Sequence, residues 1–289
     1  MDLAPPLDPL AAAWLGADTS SASAAAWWAL QQRRVHDLAW AERFAASCPV
    51  AGAEARHYLQ ATLSGPEGEA LVGVRFLGGD VGQPFVDLLA WQGPLRPWLG
   101  RALRHYAPLS PQLVRVRTPG TRSPDAGATV DQWVVAGRPA VPEAGDVVAV
   151  ADPDEALAFV ADAQQDWVAA EPWMEGRVVP MEGDDAVGAA EEGALWWIVA
   201  DGQRAGVLAT RWATDREWTG WCVVEQIVAR PFTGRGLAAG AQRAAAARQR
   251  PGVWFGTIDG ANTASLRTAE ASGRIRVGGW WWVDPAPGR

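Results

Sequence analysis

A β-branched run ending at Val228, glycines at Gly234 and Gly236, and an alanine-rich stretch from Ala239 to Ala247 constrain this chain more than anything else in it. The order reads as a strand, a glycine turn and a helix. Glycine reaches left-handed backbone conformations without a Cβ clash, so two glycines spaced this way can turn successive N–H groups into one concavity. The helix that opens beside them adds its own unbonded N–H groups and the positive end of its dipole. Such a turn is a site for a phosphate or pyrophosphate.

Composition narrows the ligand. All 25 basic residues are Arg, with no Lys, so a phosphate loop of the Walker type, which needs its Lys, is excluded. The net charge is −8, and residues 146–289 hold 20 Asp and Glu against 13 Arg. Nucleic acid is therefore not an expected partner, since phosphate backbones select basic surfaces. The cysteines, Cys48 and Cys222, are far apart, and the histidines, His36, His57 and His105, are scattered through the first half. No metal site is expected from them. No leader is read from Met1-Asp2-Leu3-Ala4-Pro5-Pro6, and no apolar run approaches the roughly 18 residues of a membrane span. The expectation is a cytoplasmic protein with no membrane partner.

Residues 9–47 read as helical, with a break near Thr19-Ser20-Ser21. Strand-like runs follow at 57–63, 70–77 and 84–91, then a helix at 97–106 and strands at 113–118 and 132–136. Residues 139–145 read as a linker, which sets units of 1–140 and 146–289. In the second unit a strand at 147–151 precedes Asp152-Pro153-Asp154-Glu155, a helix start with an N-cap and acids in the first turn. Residues 182–192 read as an acidic solvated loop. Strands at 194–200 and 205–212 flank the hairpin signal Asp201-Gly202. A strand at 221–228 leads into the glycine turn and its helix, a strand at 253–258 and a helix at 262–272 follow, and 274–283 closes the chain. The class is α/β, with a mixed, largely antiparallel sheet and one parallel pair.

That order resembles the GNAT superfamily of acetyl-CoA-dependent N-acetyltransferases over about 146–289. Its acyl-CoA signature, Gln/Arg-x-x-Gly-x-Gly/Ala, is matched by Thr233-Gly234-Arg235-Gly236-Leu237-Ala238, with Thr233 replacing the first residue. A second signature, Asn262-Thr263-Ala264-Ser265-Leu266-Arg267 and then Glu270-Ala271-Ser272-Gly273-Arg274, looks like the family's Asn-led helix, with Arg274 where Phe is usual. The resemblance implies acetyl-CoA as co-substrate and no metal. The N–H groups from Gly234 to Ala238 would hold the pyrophosphate, each bond worth about 1.5–3 kcal/mol. Gln226, Ile227 and Val228 would pair with the pantetheine arm as with an added strand, and Asn262 would touch it from the other side. An N–H of that strand would steady the oxyanion. Phe85 to Leu103 repeats the strand–turn–helix outline with prolines and Trp98 in the turn, as a degenerate tandem GNAT-like half unable to bind CoA.

Amine acetylation needs a base for the ammonium and an acid for the leaving thiolate. Glu225 is the carboxylate expected as base, with Asp215 and Glu217 as alternatives. The Tyr many members use as acid is replaced by Ala269, and Ser265, one helical turn from Asn262, is the candidate acid. A thiol of pKa about 8.5 can also leave unaided as thiolate. Arg235 reads either as a phosphate contact or as a solvent-facing charge; Arg230 and Arg267 read as surface charges. Of the 18 Trp, pairs such as Trp196-Trp197 read as strand residues alternating between core and surface.

The expected function is transfer of an acetyl group to a primary amine, a small molecule or a protein N-terminus, by direct attack in a ternary complex. A catalytically weak acyl-CoA-binding module and a transferase of longer acyl groups are alternatives. The partners expected are an amine and, as oligomer, a homodimer. A dinucleotide-binding βαβ fold fits less well, because its glycines follow the first strand and an acid lies about 20 residues on.

Overall fold

The computed structural model describes residues 21–139, 147–215 and 218–285. Residues 9–20, positions 140–145 of the expected linker and Glu217 lie outside them. Two compact units emerge. Within the described residues one takes Ser21–Trp133 and the residues from Val277 on, and the other takes Val134–Arg276. The mixed α/β class expected from the sequence is present in both.

The first unit begins with helices α1 (Ser21–Arg33) and α2 (Leu38–Ser47) and a single 3-10 turn (Ala55–Tyr58) where a strand was expected. Strands β1 (Ala61–Gly65), β2 (Gly68–Phe76) and β3 (Pro84–Trp91) pair antiparallel in sequence. Helix α3 (Arg96–His105) carries the chain to β4 (Leu113–Pro119), which lies parallel to β3. Leu88, Val116, Trp98, Leu99 and Ala102 pack into one core, as the alternation of strand residues and the apolar stripe of α3 require. Arg115 sits in this unit under Trp280, 4.5 Å from its ring, and donates to Asp87 at 2.7 Å and Asp131 at 3.1 Å.

The second unit takes β5 (Thr129–Gly137) from Val134 on, then β6 (Val147–Ala149), α4 (Pro153–Ala170), α5 (Gly183–Glu191), β7 (Leu195–Ala200), β8 (Gln203–Asp215), β9 (Trp218–Val228), α6 (Leu237–Arg248), β10 (Val253–Asp259) and α7 (Thr263–Ser272). Strands β6 to β9 pair antiparallel in sequence, and β10 lies parallel to β9. Asp152 caps α4, accepting from Asp154 N–H at 3.0 Å.

Two expectations are corrected. Residues 183–191 form helix α5, not a loop: Asp184 and Asp185 stand in its first turn, where the dipole favours acids, and Ala186 and Ala189 are buried. Trp196 and Trp197 are both buried, because helices cover both faces; Trp197 packs with α4 and α5, Trp196 with α6. The last strand, β11 (Ile275–Val283), pairs antiparallel with β4 from Gly278 to Val283, running from Pro119 back to Val114.

Candidate functional site

The site grows out of one irregularity in β9. Glu225 stands opposite Ala209, but Val223 stands opposite Thr210, so Val224 is an extra residue in the ladder. Such a bulge bends a strand, leaves a residue unpaired and re-aims its side chains. Val223 packs on the α6 side and Val224 with the α4/α5 core. Past the bulge the phase is reset. Glu225 Oε2 accepts from Met181 N–H at 3.1 Å, just ahead of α5. Gln226 turns the other way and donates to Ala238 O in the first turn of α6 at 2.7 Å. Gln242 of α6 in turn donates to Gln226 Oε1. Ile227 returns to the α4/α5 core.

Next to the bulge the sheet opens. β9 and β10 are paired at Gly220↔Val253, Trp221↔Trp254 and Cys222↔Phe255, and no further. β9 runs on to Val228 and β10 to Asp259, so the strands part into a wedge with one edge of β9 unpaired along 223–228. At the far end of β9, Trp167 of α4 donates its indole N–H to Val228 O at 2.9 Å.

The glycine turn follows a short 3-10 turn (Arg230–Phe232). Gly234 and Gly236 have φ of 74° and 72°, and a Cβ on either would meet nothing within 4 Å. The requirement for glycine is therefore conformational, and the concavity in front of the turn is open. Among the described residues none accepts from the N–H groups of Gly234, Arg235, Gly236, Leu237, Ala238 or Ala239; the first helical bond is Gly240 N–H to Gly236 O at 3.1 Å. Thr233 turns its hydroxyl back to Arg230 O at 2.8 Å. Arg235 is held by Asp201 of the β7–β8 turn at 2.8 and 3.2 Å, in an exposed pair. An open cavity of about 560 Å³, lined by Asp166, Trp167, Glu171, Arg230, Pro231 and Thr233, adjoins this turn.

Asn262 caps α7, its Oδ1 accepting from Ser265 N–H at 3.0 Å. That use occupies the Asn262 oxygen and leaves its amide N–H groups available. Ala269, in the place of the usual Tyr, is completely buried. Among the described residues no hydrogen bond joins Ser265 to Glu225. Of the alternative bases, Asp215 pairs with Trp218 at the start of β9, where the strand leaves the β8–β9 turn.

Burial raises the carboxyl pKa of Glu225 above its usual range, with the N–H groups of Met181 and Gln226 acting the other way. The Cys222 thiol is pushed up to about 11 by burial and by Asp215. Arg274, singled out in the sequence only as a departure from Phe, proves to be a buried guanidinium, 3% exposed, lowered by desolvation to about 10. A charged residue at the end of a helix normally faces water, so nothing in the sequence pattern signalled its burial. Among the described residues no cluster of three or more His, Cys, Asp or Glu is arranged to hold a metal.

The first unit repeats the bulge, the partial parallel pairing and the following helix with different residues at each place. β3 carries its own extra residue, Leu89, between Leu88 opposite Val72 and Ala90 opposite Leu71, and its parallel pairing with β4 ends at Leu88↔Val116. Ala90 follows that bulge where Glu225 follows the other. The turn into α3 is filled by the buried Trp98 indole, which donates to Gln92 O at 2.8 Å.

No family model matches the sequence, and no curated protein aligns with it. Solved structures do resemble it. A GNAT-family acetyltransferase from Colwellia psychrerythraea is 14% identical, with a TM-score of 0.48 over 74% of this chain and 80% of that one. A GCN5-related N-acetyltransferase from Sphaerobacter thermophilus is 16% identical, with a TM-score of 0.46 over 83% and 84%. A tandem GNAT protein from the clavulanic acid biosynthesis pathway is 15% identical, with a TM-score of 0.40 over 95% and 99%. At such identities and scores these neighbours assign no residue of this chain a role.

Proposed function

We propose that the second unit is an acetyl-CoA-dependent N-acetyltransferase acting on a primary amine. The observation that carries this reading is the conjunction of an unpaired β9 edge, opened at a bulge, with six unanswered N–H groups at the end of the same strand. A free strand edge suits an extended amide-bearing arm, and converging N–H groups at a helix start suit a pyrophosphate. Gly234 to Ala238 would hold that group, the 226–228 edge the arm, and the Asn262 amide its other side; Thr233 and the Asp201-bound Arg235 would frame the mouth.

Acetyl-CoA would supply the acyl group: a nitrogen–carbonyl bond forms, the carbonyl–sulfur bond breaks, and the thiolate leaves. Glu225 takes the ammonium proton, and its burial suits it to do so nearer neutrality than an exposed carboxylate could. N–H groups freed at the bulge meet the charge that grows on the carbonyl oxygen. Ser265 gives its hydroxyl proton to the departing thiolate and takes back the second proton that the nitrogen sheds as the amide forms, so that the products are the amide and the free thiol.

A second reading, an acyl-CoA-binding module without turnover, draws on the buried Ala269 in the acid's usual place. One experiment separates them: acetyl-CoA affinity by calorimetry beside thiol release across a panel of amines. Binding with turnover supports the transferase, binding alone the module, and absence of binding removes both. Longer acyl-CoA thioesters belong in the same panel.

Among the described residues no helix is long and apolar enough to cross a membrane. The acidic second half favours an amine over an anionic polymer as partner. A homodimer and a cytoplasmic location are part of the same proposal, to be tested by sedimentation and by fractionation.

A further inference from the structure

Among the described residues Arg274 has no hydrogen-bonding or carboxylate partner for its side chain, and the only group acting on its charge is the neutral, buried Cys222 thiol. No carboxylate pairs with it, its Nε is sealed from solvent with no hydrogen bond, and the residue is 3% exposed. Arg115 shows what this fold does elsewhere with a deep guanidinium: it supplies Asp87, Asp131 and the rings of Phe85 and Trp280. A buried cation left alone is strongly unfavourable. A position that keeps one is arranged for something that arrives later.

The location identifies what arrives. Gly273, with φ of 101°, ends α7 and turns the chain so that Arg274 points back into the sheet. One guanidinium nitrogen, Nη1, lies 3.9 Å from the point where a Cβ on Gly256 would stand, and Val223 O lies 3.5 Å from that same point. Gly256 is the first residue of β10 beyond the last paired position, Phe255↔Cys222. The guanidinium therefore sits at the vertex of the wedge, and the absence of a Gly256 side chain leaves room for a small group beside it on that side. Arg211 and Asp185, which pair with each other at 2.9 Å, and Asp215 are the other charges acting on this corner through Cys222. None of them neutralises Arg274.

We infer that Arg274 is the anchor for a substrate carboxylate at the vertex of the β9–β10 wedge, so that one of the two reactants is an acid. A planar carboxylate matches the fork of a guanidinium with two parallel hydrogen bonds, and its flat shape suits the closing gap between two strands. The carboxylate belongs either to an amino-acid-like acceptor or to a dicarboxylic acyl group. This assignment of substrate class rests on the acyl-transfer reading, while the anion site itself does not.

The test has two parts, both on the full chain. Succinate alone is the first probe. It should raise the melting temperature of the wild type and leave that of Arg274→Met unchanged; no shift in the wild type, or an equal shift in the variant, overturns the inference whatever becomes of the acyl-CoA reading. Arg274→Met should fold with equal or higher stability, since it removes an unpaired buried charge; a marked loss of stability would assign Arg274 to structure and overturn the inference too.

The second part measures thiol release with matched pairs, β-alanine against propylamine with acetyl-CoA, and succinyl-CoA against acetyl-CoA with propylamine. One pair should show a preference of about 100-fold for the carboxylated member in kcat/KM, which identifies the source. The preference should collapse in Arg274→Met and in Gly256→Ala, whose new methyl makes only ordinary contacts of 3.5 to 3.9 Å. Acetyl-CoA affinity should stay constant in both variants. Indifference in both pairs, or a preference that survives both variants, overturns the inference; loss of acetyl-CoA binding by the wild type itself counts against the acyl-transfer reading instead.

Discussion

Glu225 accepts the Met181 N–H at 3.1 Å on the α4/α5 side of the sheet, the face that plain alternation from Trp221 and Val223 would have denied it. One extra residue, Val224, makes the exchange, and it sends Gln226 to α6 in the same stroke. The carboxylate proposed as base and the amide that fastens the first turn of α6 to the sheet are thus set by a single insertion in the ladder.

The kinetic consequence falls on Glu225→Gln. If the carboxylate is the base, kcat should drop by about 100-fold or more, while acetyl-CoA affinity stays unchanged. In the wild type the acidic limb of the kcat/KM profile should lie above the ordinary carboxylate range, because burial raises this group. A variant with normal turnover would move the base elsewhere.

The same group predicts a pH dependence of stability. Its folded-state pKa is raised above the ordinary 4.5, so the folded chain holds that proton to higher pH than the unfolded chain does. The stability it contributes is complete below the unfolded value and is lost as pH rises through the folded value. Urea midpoints of wild type minus Glu225→Gln should therefore decline as pH rises from about 4.5. A difference that is flat with pH would contradict the burial argument.

Gly236→Val tests the phosphate turn. The left-handed φ of 72° costs an L-residue about 1–2 kcal/mol, and the new side chain meets nothing within 4 Å. The chain should stay folded by circular dichroism, with acetyl-CoA binding weakened at least about tenfold because the N–H groups no longer converge. Undiminished affinity would remove the turn from the site.

Asp87→Ala addresses the first unit. It strips Arg115 of its two-point partner at 2.7 and 3.1 Å in a place where Asp87 is nearly sealed from solvent. Breaking a buried pair from one side costs about 3–5 kcal/mol, which a urea titration resolves. A loss well under 1 kcal/mol would mean that water reaches the guanidinium.

What could be read in advance was whatever depends on local periodicity or on glycine. The Gly234–Gly236 turn, the Asp152 cap and the alanine helix each follow from a few neighbouring residues, and each is in place. The Val224 bulge was not legible, since it is a property of two strands in register and not of one. Helix α5 was hidden because Gly183 and Gly188 argue against a helix, while the burial of Ala186 and Ala189 that overrides them is tertiary. Arg274 stood out in the sequence only as a departure from Phe; its burial depends on residues brought together by the sheet, Gly256 and Val223 among them, and not on its neighbours along the chain.

The pairing of β11 with β4 has a consequence during synthesis. Strand β4 is complete at Pro119, yet the partner for its second edge is made of residues up to Val283. A nascent chain must therefore leave the ribosome with an unsatisfied β4 edge, exposed to other emerging chains, for the whole time the second unit is being translated. Whatever guards that edge in the cell, a chaperone or sheer speed, the two halves of this protein cannot be matured one after the other.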